Sequence, residues 1–271
     1  MILLYLPVLL SIVGCSSSGD NAGSHTGAMA IYNQAYQENY AADSIVDIEA
    51  NAQNAYVLLD IFGTGAEEHI VTIKSHGNQI GGYISAGTGE NYRDDFADLE
   101  PYLTSTAWPE WPDEFFVSET TTGILPIMKR RIDKMAAVGV DWVEFDNMDW
   151  LDEEARVKYN LTATVAQANA YINALCTHTR SKGMKCMAKN TVEGFESFEG
   201  VLYESYADEK NWWDTDVTKT FLNAGKLVII NHYNETDCDG VYEEYKSIYK
   251  SDNISFICED VAIKKYKHYN E

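Results

Sequence analysis

Basic residues are scarce in this sequence. Against 42 Asp and Glu there are only 20 Lys and Arg, and the formal net charge is −22. A nucleic-acid binder neutralises phosphates with a basic face, so this imbalance excludes that class of partner. An acidic surface instead raises the local concentration of cations, including a cationic substrate. A glycine-rich phosphate turn is missing too, since Phe62-Gly63-Thr64-Gly65-Ala66 lacks the dinucleotide-binding spacing. There is no C-x-x-C pair and no cluster of histidines, which argues against zinc. After Val13 no apolar run is long enough to span a bilayer. What the chain does have is core-forming material: 45% hydrophobic and 12% aromatic residues in a length of 271. That excludes disorder and suits one large domain.

The N-terminus carries the apolar run Met1 to Val13, too short to be a mature membrane helix. It leads into Gly14-Cys15 and a polar Ser-rich tail, which resembles a bacterial lipoprotein signal with lipid on Cys15. The absence of Lys or Arg before the apolar run departs from the usual signal, and an ordinary cleaved signal peptide is the alternative. The expected organisation is a signal over 1–14, a tether over 15–45 rich in Ser, Gly, Asn and Ala, and a folded domain over 46–271. The expected location is the bacterial cell envelope, with the membrane reached through the anchor. Cys176, Cys186, Cys238 and Cys258 remain. An even count in an exported chain suggests disulfides, and 176–186 with 238–258 is the simplest of three pairings.

Eight short apolar segments read as strands: Tyr56–Ile61, Ile80–Ser85, Phe115–Val117, Trp142–Phe145, Met184–Ala188, Val201–Tyr203, Leu227–Ile230 and Ile254–Ile257. Helical periodicity fills Leu125–Val138 and Leu161–Lys182, and shorter helices are expected over Thr215–Ala224 and Gly240–Tyr249. Strands alternating with helices argue for an α/β protein, a (β/α)8 TIM barrel, over an open doubly wound sheet. In a barrel the chemistry lies at the C-terminal strand ends. Those ends carry Asp60, Glu144-Phe145-Asp146-Asn147-Met148-Asp149, Lys189-Asn190, Tyr203-Glu204 and Asn231-His232-Tyr233. Pointing so many groups that are costly to desolvate at one face has no structural purpose. Asp146 and Glu204 each follow a short apolar strand, the fourth and the sixth. Two carboxylates across a cleft suit glycoside hydrolysis, though spacing alone leaves open which is nucleophile and which is acid. A turn pair and a surface acid are the plainer readings.

Taken in order along the chain, these segments resemble the endo-α-1,4-polygalactosaminidase family of glycoside hydrolases, which are TIM barrels. Gly82-Tyr83-Ile84-Ser85-Ala86-Gly87-Thr88-Gly89-Glu90-Asn91-Tyr92-Arg93-Asp94-Asp95 is similar to the family's Y-I-S-x-G-x-x-E-x-x-R-x-D segment. Asp146-Asn147-Met148-Asp149 is similar to its D-N-x-D turn, Lys189-Asn190 to its K-N strand end, and Tyr203-Glu204 to its second carboxylate. The resemblance implies that Asp146 is the nucleophile and Glu204 the acid/base of a retaining enzyme. It implies an amino-sugar polysaccharide as partner, with Asp60, Tyr83, Glu90, Arg93, Asn147, Asp149, Lys189, Asn190 and Tyr233 around the sugar, and no cofactor or metal. Arg93 has Asp94 and Glu90 as possible bidentate partners, or serves as a structural ion pair. Lys189 either biases the charge of Asp146 or neutralises it.

Three positions depart from the family pattern. Gly89 stands where a Trp is usual, Ser118 where an Asp ends the third strand, and His232 where an acid often follows the seventh. Trp108, Trp111, Trp150, Trp212 and Trp213 remain as sugar platforms, with core packing the commoner role for any one of them. The departures keep two rival readings open: a non-catalytic carbohydrate-binding lipoprotein on a degenerate barrel, and a structural envelope protein whose acidic cleft binds cations.

Overall fold

The computed structural model describes residues 31–35, 44–63, 65–118, 123–148, 150, 153–206, 216–248 and 254–269. Its strands are β1 (Ile31–Ala35), β2 (Tyr56–Leu59), β3 (Gln79–Ser85), β4 (Thr88–Glu90), β5 (Leu103–Ala107), β6 (Glu114–Val117), β7 (Trp142–Asp146), β8 (Lys185–Lys189), β9 (Gly200–Tyr206), β10 (Leu227–Glu235), β11 (Ile254–Asp260) and β12 (Lys265–His268). Its helices are α1 (Ile45–Asn51), α2 (Ala66–Ser75), α3 (Phe96–Leu99), α4 (Ile124–Val138), α5 (Glu153–Lys158), α6 (Val165–Ser181), α7 (Asp216–Asn223) and α8 (Cys238–Ile248). Eight strands pair in parallel in the order β1-β2-β3-β7-β8-β9-β10-β11, and β12 adds antiparallel to β11. β1 lies against β11 and β12, which curls the sheet into the (β/α)8 barrel. β4, β5 and β6 form a separate three-stranded antiparallel sheet.

Period-2 alternation sorts the apolar residues into two layers. Tyr56, Leu58, Tyr83, Trp142, Met187, Leu202, Ile229 and Ile257 fill the barrel. Val57, Leu59, Val143, Phe145, Cys186, Val201, Val228 and Ile230 face outward to the helices. Each such fully buried side chain contributes roughly 1.5–3 kcal/mol relative to exposure. Two disulfides pin helices to this outer face: Cys176–Cys186 joins α6 to β8 and Cys238–Cys258 joins α8 to β11, the pairing expected. α6 starts later than its periodicity suggests because Thr164 caps it, in a reciprocal capping box with Gln167. Gly183, at φ 81°, ends it.

One strand assignment is corrected. Phe115–Val117 is not a barrel strand but belongs to β6, antiparallel to β4 and β5. Its place between the second and fourth expected strands is closed, since β3 pairs directly with β7 from Gly81–Trp142 to Ser85–Asp146. The missing barrel strand is β1, within the segment expected to be a tether, and it pairs in parallel with β2. Ser44, also in that segment, caps α1. Ile-Tyr-Asn-Gln-Ala carries no alternating apolar pattern, so β1 had no local signal. The two errors cancel in the count, and Asp146 and Glu204 stay on the fourth and sixth barrel strands. The signal, Cys15, Asp149 and the Trp212-Trp213 pair lie outside the described residues.

Candidate active site

The alternation that fills the barrel also sets its mouth. Above Leu58, Trp142, Met187, Leu202 and Ile229 stand Asp60, Glu144 with Asp146, Lys189, Glu204 and Asn231, apolar below and polar above. Asp146 ends β7, and Asn147 then turns the chain at φ 57°, a left-handed backbone that Asn tolerates. That turn brings the Asn147 backbone N–H onto Asp146 Oδ1 at 2.8 Å. Gly87 lies against the same turn: a Cβ there would stand 1.5 Å from the Asn147 carbonyl oxygen, so only glycine fits.

Lys189 ends β8 and joins the two expected catalytic carboxylates. Its Nζ donates to Asp146 Oδ2 at 2.9 Å and lies 3.0 Å from Glu204 Oε1. The Lys189 side chain is 5% exposed. Burial opposes its charge, but Asp146, Glu204 and Glu144 together hold its pKa well above the ordinary lysine value. Asn190, at φ 53°, grips Glu204 twice: Nδ2 donates to Oε2 at 2.9 Å, and Oδ1 accepts from the Glu204 backbone N–H at 2.8 Å. Tyr233 donates its hydroxyl to Glu204 Oε1 at 3.3 Å and accepts from Asn231 Nδ2 at 2.8 Å. The Tyr83 ring centroid is 5.6 Å from Lys189 Nζ, a cation–π distance.

Glu144 lies one layer below Asp146 on the same face of β7, fully buried, with no hydrogen-bond partner for either carboxyl oxygen among the described residues. Burial pushes its pKa up to about 8; Lys189 opposes this, and Asp146 and Glu204 add to it. Glu144 is therefore a neutral acid at neutral pH. In the sequence it stands among the strand-end groups without a role.

Asp60, Glu90 and Arg93 come together as a buried ion network. Arg93 donates to Asp60 Oδ2 at 2.6 Å and forks onto Glu90 at 3.0 and 2.9 Å. Tyr92 donates to Glu90 Oε1 at 2.9 Å. Of the two partners considered for Arg93, Glu90 is the one it takes. Arg131 of α4 was missed: it lies 3.5 Å from Glu90 and forks onto Asp95 at 2.8 and 2.7 Å. The signal was present, because Arg131 falls on the apolar stripe of Ile124, Ile127, Met128, Ile132 and Met135.

Glu114, the first residue of β6, was also missed. Its Oε2 accepts from Thr88 Oγ1 at 2.5 Å and from Asn147 Nδ2 at 3.0 Å. Burial raises its pKa to about 7; the Thr88 bond opposes this, and Glu90 and Asp146 reinforce it. Asn147 thus touches two carboxylates, Asp146 with its backbone and Glu114 with its side chain.

The three departures take definite places. A Cβ at Gly89 would stand 2.4 Å from Leu103 Cδ1, so any side chain there has to displace the leucine tip. Ser118 follows β6 of the side sheet, so it ends no barrel strand, and it donates to the Tyr102 carbonyl. His232 is buried against Phe256 and Glu235, on the opposite face of β10 from Tyr233. Of the tryptophans, Trp150 is fully buried against Tyr171 and Trp108 packs on Phe116 and Tyr159, whereas Trp111 is exposed. Among the described residues no group of three or more His, Cys, Asp or Glu is placed to hold a metal ion, and no helix is long and apolar enough to cross a membrane.

The profile of glycoside-hydrolase family GH114 matches residues 23–271. Ega3 of Aspergillus fumigatus, solved in complex with galactosamine, superposes with a TM-score of 0.70 at 20% identity, covering 91% of this chain and 96% of that one. The glycoside hydrolase domain of PelA from Pseudomonas aeruginosa gives a TM-score of 0.62 at 13% identity, covering 88% and 96%. At these identities the likeness establishes the barrel fold. No curated protein sequence matches the chain significantly.

Proposed function

The chain belongs to glycoside-hydrolase family GH114, and from that premise we propose that it cleaves α-1,4-linked galactosamine-containing polysaccharide through Asp146 and Glu204. The observation that carries this reading is Lys189 between the two carboxylates. With its Nζ at 2.9 and 3.0 Å, the nearer Asp146 and Glu204 oxygens lie within about 6 Å of each other. Retaining enzymes hold their carboxyls about 5–5.5 Å apart and inverting ones about 6.5–9.5 Å, and this ceiling between the nearer oxygens is compatible with retention. One cation balances one carboxylate. The trio is therefore neutral when Asp146 is ionised, Lys189 is charged and Glu204 holds a proton.

That is the charge state the first step requires. Asp146 attacks the anomeric carbon while Glu204 gives its proton to the departing glycosidic oxygen. A glycosyl ester on Asp146 results. Glu204, now a carboxylate, takes a proton from water as its oxygen attacks the same carbon, and Asp146 leaves. Asn147 and Lys189 aim the nucleophile, and Asn190 and Tyr233 aim the acid. Galactosamine in the Ega3 complex supports the amino-sugar assignment.

The apolar leader and Cys15 support export as an envelope lipoprotein. Two disulfides suit the same oxidising compartment. Mass analysis of the mature N-terminus should find diacylglycerol on Cys15, and a free Ser16 or later start would refute the anchor. The decisive activity test is release of reducing ends from partially deacetylated α-1,4-galactosamine polymer, with anomeric outcome followed by NMR. We expect retention, and loss of turnover in D146N and E204Q. Polymer binding without reducing ends in the wild type would establish the carbohydrate-binding reading instead.

A further inference from the structure

Several buried carboxylates around Asp146 are paired with cations. Asp60 and Glu90 share Arg93, Asp95 and Glu90 share Arg131, and Asp146 and Glu204 share Lys189. Glu114 has no cation within ion-pair distance among the described residues; Lys189 reaches it only through its longer-range field. Glu114 is also held ready. Thr88 and Asn147 both donate to Oε2, which fixes the carboxyl plane, while Oε1 accepts no hydrogen bond among the described residues. Asn147 ties it to Asp146, so the free oxygen belongs to the neighbourhood of the nucleophile. A half-buried carboxylate that lacks a protein cation is costly unless a ligand supplies one. Glu144 likewise has no cation within ion-pair distance among the described residues, but it is sealed inside the barrel, below the reach of any sugar.

We propose that Glu114 recognises the ammonium group of the substrate in the subsite beside Asp146, and so selects deacetylated over N-acetylated galactosamine there. This rests on the reading of the chain as a galactosamine-polymer hydrolase. An ammonium presents three charged N–H donors to the free oxygen; an acetamide presents one neutral donor and an acetyl group that must also be housed. Loss of a charge-assisted hydrogen bond of this kind weakens binding about ten- to hundredfold.

The test is titration of wild type, E114Q and E114D with galactosamine, N-acetylgalactosamine and galactose by ligand-observed NMR, beside kcat/KM on polymers of stated acetylation. Glutamine keeps an oxygen for Thr88 and Asn147 and removes the charge. We expect the wild type to bind galactosamine at least tenfold more tightly than the other two sugars. E114Q should lose that preference alone, and E114D should keep much of it. Equal weakening for all three sugars, or an unchanged preference in E114Q, overturns the inference while wild-type turnover still upholds the hydrolase. Conversely, Glu114-dependent galactosamine binding by a wild type that releases no reducing ends refutes the hydrolase and upholds the recognition.

Discussion

Asn190 and Glu204 exchange two hydrogen bonds, one through each polar atom of the Asn190 amide, at 2.9 and 2.8 Å. Adjacent strand ends are thereby locked side chain to backbone, and the carboxyl of Glu204 has one orientation. Replacing Asn190 with Ala frees it. We expect kcat to fall ten- to hundredfold with KM little changed, since misplacement of a catalytic group costs rate before affinity. An unchanged kcat would show that Tyr233 and Lys189 suffice.

Gly87→Ala should be worse than its distance from the chemistry suggests. The added methyl would overlap the Asn147 carbonyl, and the turn that presents Asp146 must shift. We expect at least a hundredfold loss of kcat/KM and a lowered melting temperature. Activity within threefold of wild type would mean the turn is free to yield.

Glu144 and Glu114 make stability depend on pH in an unusual direction for carboxylates. Their folded pKa values of about 8 and about 7 lie above the ordinary 4.5, so the folded chain holds these protons more tightly than the unfolded one. The stability they contribute is complete below about pH 4.5 and is lost as pH rises through 7 to 8. Melting temperatures between pH 5 and 8.5 should fall in the wild type and fall less in E144Q. A slope identical in the two would remove Glu144 as a cause.

Lys189→Met leaves Asp146 and Glu204 facing each other without a cation. Removing one member of a buried ionic set costs about 3–5 kcal/mol. Denaturant unfolding should register that loss, and turnover should vanish. A variant as stable as the wild type would show that the two acids share a proton instead.

The disulfides offer a check on the fold itself. Cys176 and Cys186 are ten residues apart and Cys238 and Cys258 twenty. Loops of these sizes confer roughly 2–4 kcal/mol each by restricting the unfolded chain. Paired Cys→Ala substitution at either bridge should lower stability by that amount with the catalytic parameters intact, because both bridges lie on the outer face of the barrel.

Much of this protein is determined by its sequence read alone. The period-2 runs ending in Asp146, Lys189 and Glu204 specify inward-facing strands with polar tips, and the 3.6 periodicity of α4 and α6 specifies their cover. The even cysteine count pointed to bridges, and the simplest of the three pairings is the one formed. The single residues that end strands were legible because a strand's alternation is a local property. What only the tertiary structure decided is where non-local partners meet. β1 has no apolar alternation and becomes a strand only because β2 offers it an edge. Phe115–Val117 has the composition of a barrel strand but pairs with β4 and β5, since β3 and β7 have already closed on each other. The pairing of Arg93 with Asp60, thirty-three residues away, and of Glu114 with Asn147, again thirty-three, depends on chain paths that no local pattern encodes. Burial decides charge in the same way. Glu144 and Asp146 are alike on paper and two residues apart, yet a layer of barrel separates a neutral acid from one held by Lys189.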